Sequence, residues 1–217
     1  MGTFALRDVW IRKVQRNWED HGLGAVIRKC VGFAVRPFYQ SRTYRLYAID
    51  LRRRGPQERT AIDGIEFRIL TAADAEAMRQ IESISEWLHG TLPTRVDAGD
   101  LCLAAFEDGK VAGFNLISFG DAYMPLVNLH RRFRPDEAWS EQIAVSKDFR
   151  KKGLGAALRY NIFQELRKRG YRKLYGGALI DNLPSLKLAR KVGFREFVDI
   201  QYTRVLTGRK WDYRRVK

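Results

Sequence analysis

Arg150-Lys151-Lys152-Gly153-Leu154-Gly155 sets three cations directly before two glycines one residue apart. A strand pattern ends near Val145, and a helix begins near Gly155 with Leu154, Leu158, Ile162 and Leu166 as its apolar stripe. Glycine lets a backbone approach a ligand and take positive φ. The first N–H groups of a helix, together with its dipole, favour an anion. Strand, basic glycine loop and helix therefore have the physics of a diphosphate cradle. A P-loop needs a Lys-Ser/Thr pair at the second glycine, where Ala156-Ala157 stand, and a dinucleotide fingerprint needs a third glycine. Taken alone, the loop is equally compatible with an ordinary strand–turn–helix carrying a solvated basic turn.

The downstream residues narrow the choice. A strand over 171–180 leads into Asp181-Asn182-Leu183-Pro184-Ser185, a short helix, and Lys191-Val192-Gly193-Phe194. Gly193 has the position of a helix C′ residue. Arg150, Gly153 and Gly155, followed at the right distance by Asn182, Lys191, Gly193 and Phe194, resemble the two signature blocks of the GNAT acyltransferases (Gcn5-related N-acetyltransferases). The resemblance covers roughly residues 63–206.

That resemblance implies an α+β fold, with a mixed, mostly antiparallel central sheet flanked by helices and two central strands that splay apart. It implies acetyl-CoA or another acyl-CoA as cofactor, without a metal. Carried over by position, the backbone of Ile143, Ala144 and Val145 would pair with the pantetheine amides. The N–H groups of Lys151, Lys152, Gly153, Leu154, Gly155 and Ala156 would hold the pyrophosphate beside Arg150. Asn182 would bond the pantetheine arm, with Ser185 near it. Glu141 stands near where the family often places a carboxylate base, which would take a proton from the attacking amine. Where many members have a tyrosine acid, this chain has Ala189; Tyr160, Tyr202, a water or no acid at all would have to serve.

The elements that must position these residues follow from pattern. Residues 64–70 read as a strand. Thr71 is expected to cap a helix whose buried face is Ala75, Met78, Ile81, Ile84 and Leu88. Asp108-Gly109 between two apolar runs is a hairpin signal. Residues 123–129 read as one extended piece, His130–Arg134 as an exposed hairpin tip, and 139–145 as a strand. Trp87 and Leu88 near Pro93 are candidates for an acceptor pocket.

Charge divides the chain. It carries +15 overall, and residues 1–60 hold 13 basic against 5 acidic side chains. Arg52-Arg53-Arg54-Gly55-Pro56 reads as a linker, so residues 1–60 are expected to form a basic extension of two amphipathic helices and a strand, with the acyltransferase domain over 61–217. The helices either pack on that domain or lie, through residues 1–40, on an anionic membrane surface. The longest uncharged apolar stretch is too short to span a bilayer. Two unspaced cysteines, Cys30 and Cys102, argue against a disulfide framework or zinc site, and the expected location is the cytoplasm or the inner membrane face. The expected activity is acyl transfer from acyl-CoA to a small-molecule or peptidyl amine. A long-chain acyl carrier protein as donor, and a non-catalytic module binding acyl-CoA or nucleic acid, are the alternatives; nucleic acid is the weaker one, because the cofactor loop already accounts for three cations.

Overall fold

The structure is a computed structural model and describes residues 38–53, 60–150 and 152–216. The two predicted N-terminal helices, Cys30 and Lys151 lie outside the described residues. The chain divides into two compact units. The larger comprises Thr43–Gln201 with Tyr213–Lys217, and the smaller Met1–Arg42 with Tyr202–Asp212.

The strands are β1 (Tyr39–Asp50), β2 (Glu66–Ile69), β3 (Leu101–Glu107), β4 (Lys110–Phe119), β5 (Asp121–Met124), β6 (Leu129–Arg132), β7 (Glu137–Val145), β8 (Lys173–Leu179), β9 (Arg195–Val205) and β10 (Gly208–Arg215). The helices are α1 (Ala75–Ile84), α2 (Leu92–Asp97), α3 (Leu154–Lys168) and α4 (Leu183–Lys191). In the larger unit the sheet runs β9-β1-β8-β7-β4-β3-β2. Its pairings are antiparallel at β1–β8, β2–β3, β3–β4 and β4–β7, and parallel at β7–β8. In the smaller unit, Tyr202 packs against Trp211 with ring centroids 5.6 Å apart, and the Leu206 N–H donates to the Phe38 carbonyl.

Helix α3 carries the main core. Leu154, Leu158, Ile162 and Leu166 are buried as the i, i+4 stripe predicts, and they pack with Leu103, Ile117, Leu174 and Phe194. A second cluster gathers Met78 and Ile81 of α1 with Leu88, Phe114 and Leu116. The β3–β4 hairpin turns at Asp108 (φ 50°) and Gly109 (φ 74°), as the Asp-Gly signal requires.

Four elements differ from expectation. Strand β1, assigned from charge to the extension, is an interior strand: Tyr44 through Asp50 pair with Leu179 through Lys173 of β8, and the larger unit begins at Thr43 rather than after residue 60. Arg45 fixes its other side by donating from Nε and Nη2 to Asp199 of β9, both at 2.7 Å. Thr71 does not cap α1, which starts a turn later; instead its N–H and hydroxyl donate to Asp74 Oδ2 at 2.8 and 3.0 Å. The buried face of α1 uses Ala77, while Ala75 is exposed. Residues 121–132 form the β5–β6 hairpin rather than one extended piece, so His130–Arg132 lie on a strand and Phe133 is buried.

Candidate active site

Parallel pairing of β7 with β8 covers only Glu137↔Lys173, Ala138↔Leu174 and Trp139↔Tyr175. Beyond Trp139 the two strands part. Along the departing stretch, β7 stays paired on its other side: Ile143 lies opposite Asn115, Ala144 opposite Phe114 and Val145 opposite Gly113. One edge of residues 140–145 therefore faces an opening. Its backbone groups are a template for another chain or ligand, as any strand edge is.

A β-bulge sits at the parting point. Ile117 faces Ser140 and Leu116 faces Gln142, so Glu141 is the extra residue. Bulges re-aim side chains. The opening leads into a cavity of about 260 Å³, whose wall includes Tyr44, Tyr47, Glu141, Ile143, Arg159, Asn182 and Ser185. Burial pushes the Glu141 carboxyl above its usual range, and Asp100 pushes the same way, while Arg95 opposes them. Arg95 Nη1 lies 3.6 Å from Glu141 Oε1, and Arg95 Nη2 lies 2.8 Å from Asp100 Oδ2. Gln142 donates to the Ser85 hydroxyl at 2.6 Å, tying the bulge to the end of α1.

Two tyrosines reach the cavity because β8 has Gly176-Gly177 at its centre. A Cβ on Gly176 would stand 2.6 Å from Tyr47 Cε2, and one on Gly177 would stand 2.2 Å from Tyr44 Cε1. Both are shorter than any real carbon contact, so the glycine pair makes room for the rings. Burial pushes both phenols up, with Arg159 pulling Tyr47 the other way. Neither Tyr160 nor Tyr202, the sequence candidates for an acid, lines this cavity; the nearby phenols are Tyr44, Tyr47 and Tyr123. Trp87 lines it and is 68% exposed, whereas Leu88 is buried in the core and Pro93 takes no part. Cys102 is buried, with its thiol pushed up to about 12, which makes it an inert core residue rather than a nucleophile.

The glycine loop follows β7. Gly153 holds φ 81°, the left-handed region, and opens α3 with no side chain capping it. Arg150 and Lys152 are exposed; Arg150 Nε donates to the Val145 carbonyl at 3.3 Å, and Lys152 lies 3.8 Å from Glu107. Gly155 has a packing reason as well, since a Cβ there would meet Leu188 of α4 at 3.1 Å. The N–H of Ala156 already donates to the Gly153 carbonyl at 3.0 Å, so it is removed from the expected set of phosphate donors. Asn182 caps α4 by accepting from the Ser185 N–H at 3.3 Å, which leaves its amide nitrogen for a ligand. Leu154 contributes only backbone, because its side chain is buried.

Splayed parallel strands, a bulge at the parting point and an uncapped glycine-led helix beside them make up an α+β scaffold with an open strand edge next to a helix N-terminus. The sequence matches the acetyltransferase (GNAT) family over residues 66–194, and the chain belongs to that family. No curated protein matches it. Among solved structures, a GCN5-related N-acetyltransferase from Sphaerobacter thermophilus is 18% identical, with TM-score 0.55 over 88% of this chain and 57% of that one. A putative acetyltransferase of the same family from Novosphingobium aromaticivorans is 20% identical, with TM-score 0.53 over 76% and 63%. A tandem GNAT protein from the clavulanic acid biosynthesis pathway is 16% identical, with TM-score 0.55 over 76% and 54%. These likenesses concern the fold.

Proposed function

We propose that this acyltransferase moves an acetyl or other acyl group from acyl-CoA to an amine bound at the cavity, with Glu141 as the base. The carrying observation is the placement of Glu141 as the bulged residue on the cavity wall at the parting of β7 and β8. The residues present suit CoA. The free edge of Ile143–Val145 accommodates the amides of an extended arm, Asn182 offers its amide nitrogen, and the N–H groups of Gly153, Leu154 and Gly155 are first-turn donors for a diphosphate. When bound, the cofactor supplies an activated thioester. Glu141, ionised, takes a proton from the acceptor ammonium or from the attacking nitrogen, directly or through one water. Backbone N–H groups on the unpaired edge of β7 would serve the carbonyl oxygen on which charge develops. Tyr44 and Tyr47 stand on the cavity wall as buried phenols whose raised pKa makes them weak acids, so the thiolate, the anion of a thiol of pKa about 8.5, leaves without a proton from them.

Glu141→Gln tests this reading. Turnover is expected to fall by about a hundredfold or more, and undiminished turnover would remove Glu141 as the base. Because the carboxyl titrates above its usual range and acts only when ionised, kcat/KM should fall as pH drops through that raised value. An acid limb at the ordinary carboxylate value of about 4.3 would contradict its placement.

We place the protein in the cytoplasm, with residues 1–40 holding it at an anionic membrane face; the support is the density of basic residues there. Retention on anionic liposomes at low salt, lost on deleting residues 1–37, is the expected result, and equal behaviour of the two chains would end this part of the proposal.

A further inference from the structure

Arg159 is anomalous by its surroundings. It stands on α3 between Leu158 and Tyr160, 3% exposed, among the apolar residues of the main core. Among the described residues no carboxylate pairs with it. Its Nη1 donates to the Ser140 hydroxyl at 2.5 Å, and Ser140 in turn donates to Asn115 Oδ1 at 3.2 Å. Among the described residues its Nε has no partner, and neither does Asn115 Nδ2, in a residue with no solvent exposure. Its guanidinium lies 5.3 Å from the Phe194 ring centroid, and the Tyr47 phenol is its other polar neighbour.

Burying an ion is costly unless it is paired, and a stacked ring offsets only part of that cost. A Leu or Met at this place in the core would avoid that cost. The side chain is also held in a fixed pose, with Ser140 and Asn115 orienting one side and Phe194 the other. It forms part of the wall of the same cavity as Glu141. Ser140, which holds Arg159, and Glu141, the bulged residue, are adjacent in sequence, so β7 presents a cation-holding group and an anion side by side.

We propose that Arg159 is a specificity residue that binds a carboxylate of the molecule in this cavity, borne either by the amine acceptor or by the transferred acyl group. An oriented guanidinium with an unpartnered Nε–H on the cavity wall is suited to the oxygens of a carboxylate. The pairing supplies a counter-charge that no described residue gives. An acceptor bearing an amine and a carboxylate would meet Glu141 with one and Arg159 with the other. The assignment rests on the acyltransferase reading for what enters the cavity, but not for the charge it must carry.

Matched pairs of small probes test it by thermal shift and calorimetry on the full chain. On the acceptor side the probes are α-amino acids against the amines that lack only the carboxylate. On the donor side they are succinyl-CoA against acetyl-CoA. The carboxylate member of one pair is expected to bind about tenfold to hundredfold more tightly, and the side on which this happens identifies the bearer. Arg159→Met should erase that preference while keeping or raising the melting temperature, and Arg159→Lys should keep part of it. Equal binding within every pair would overturn the proposal. So would an Arg159→Met variant that loses turnover equally with all probes but keeps any carboxylate preference, since the guanidinium would then serve the carbonyl oxygen. An Arg159→Met variant that fails to fold is covered by Arg159→Lys and by the pairs in the unaltered chain. A flat response to CoA and acetyl-CoA would instead refute the acyl-CoA reading, with the amino acid pairs still decisive here.

Discussion

Arg150 and Arg159 lie nine residues apart, on either side of the start of α3, and they inhabit different physics. Arg150 is exposed beside Lys152, which has Glu107 nearby. Arg159 is buried, fixed by a serine and an aromatic ring, and has no counter-charge among the described residues. A cation in water is inexpensive to keep and weak in effect, whereas a cation in the core is costly to keep and strong in effect. The loop is therefore suited to an anion that arrives from solvent with its own hydration. The cavity is suited to selecting and reacting. Substitutions in the cavity should change turnover and selectivity, and substitutions in the loop should change cofactor affinity.

The largest effect that sharpens this division lies at Glu141. Glu141→Gln should lower kcat while leaving the affinity for CoA within about twofold, and an equal loss of both would collapse the distinction. Replacing Arg95 by Gln removes the cation that opposes the raised carboxyl, so the acid limb of kcat/KM should move to higher pH; an unmoved limb would detach Glu141 from the pH dependence.

Next in size is Gly177→Ala. The added methyl would overlap the Tyr44 ring, and overpacking of this kind costs about 1–3 kcal/mol. A lowered melting temperature is expected, partly restored by Tyr44→Leu in the same chain. An unchanged melting temperature would mean that the ring does not lie against β8.

Smallest is Gly153→Ala. The left-handed backbone at Gly153 should cost about 1 kcal/mol with alanine, and nothing crowds the site. The expected result is CoA binding weakened by about tenfold at most with kcat retained. A loss of kcat without loss of affinity would put the loop in the chemistry and reverse the comparison.

Much of the loop was legible in the sequence, because its signals are local. Gly153-Leu154-Gly155, the α3 stripe and Asp108-Gly109 each specify a backbone conformation or a buried face within a few residues. The cavity was legible only at Glu141, Ile143, Asn182, Ser185 and Trp87. Tyr44 and Tyr47 belong to β1, and the run Arg52–Arg54 with Gly55-Pro56 reads as a boundary that places them outside the domain. The strand itself is expected within residues 1–60, but its insertion between β8 and β9 is a long-range pairing that no local pattern specifies. The one sequence signal for it is Gly176-Gly177 in the middle of a strand, where large residues are normally favoured. Arg159 was hidden for a related reason: within an i, i+4 apolar stripe a neighbouring arginine reads as solvent-facing, and only the splay of β7 from β8 turns its position into a cavity wall. At Ala156 the expected donor fails because the first turn of α3 closes on Gly153 itself.

The central claim is that the parted strands and the glycine-led helix form one acyl-CoA site. A thermal-shift titration of the full chain with CoA and acetyl-CoA tests it most directly. A ligand that binds only the folded chain stabilises it by mass action, by about 2.7 kcal/mol at a hundredfold excess over Kd. A concentration-dependent rise in melting temperature is expected with both compounds, diminished in Gly153→Ala. A melting temperature that stays flat with both, up to millimolar concentration, would contradict it.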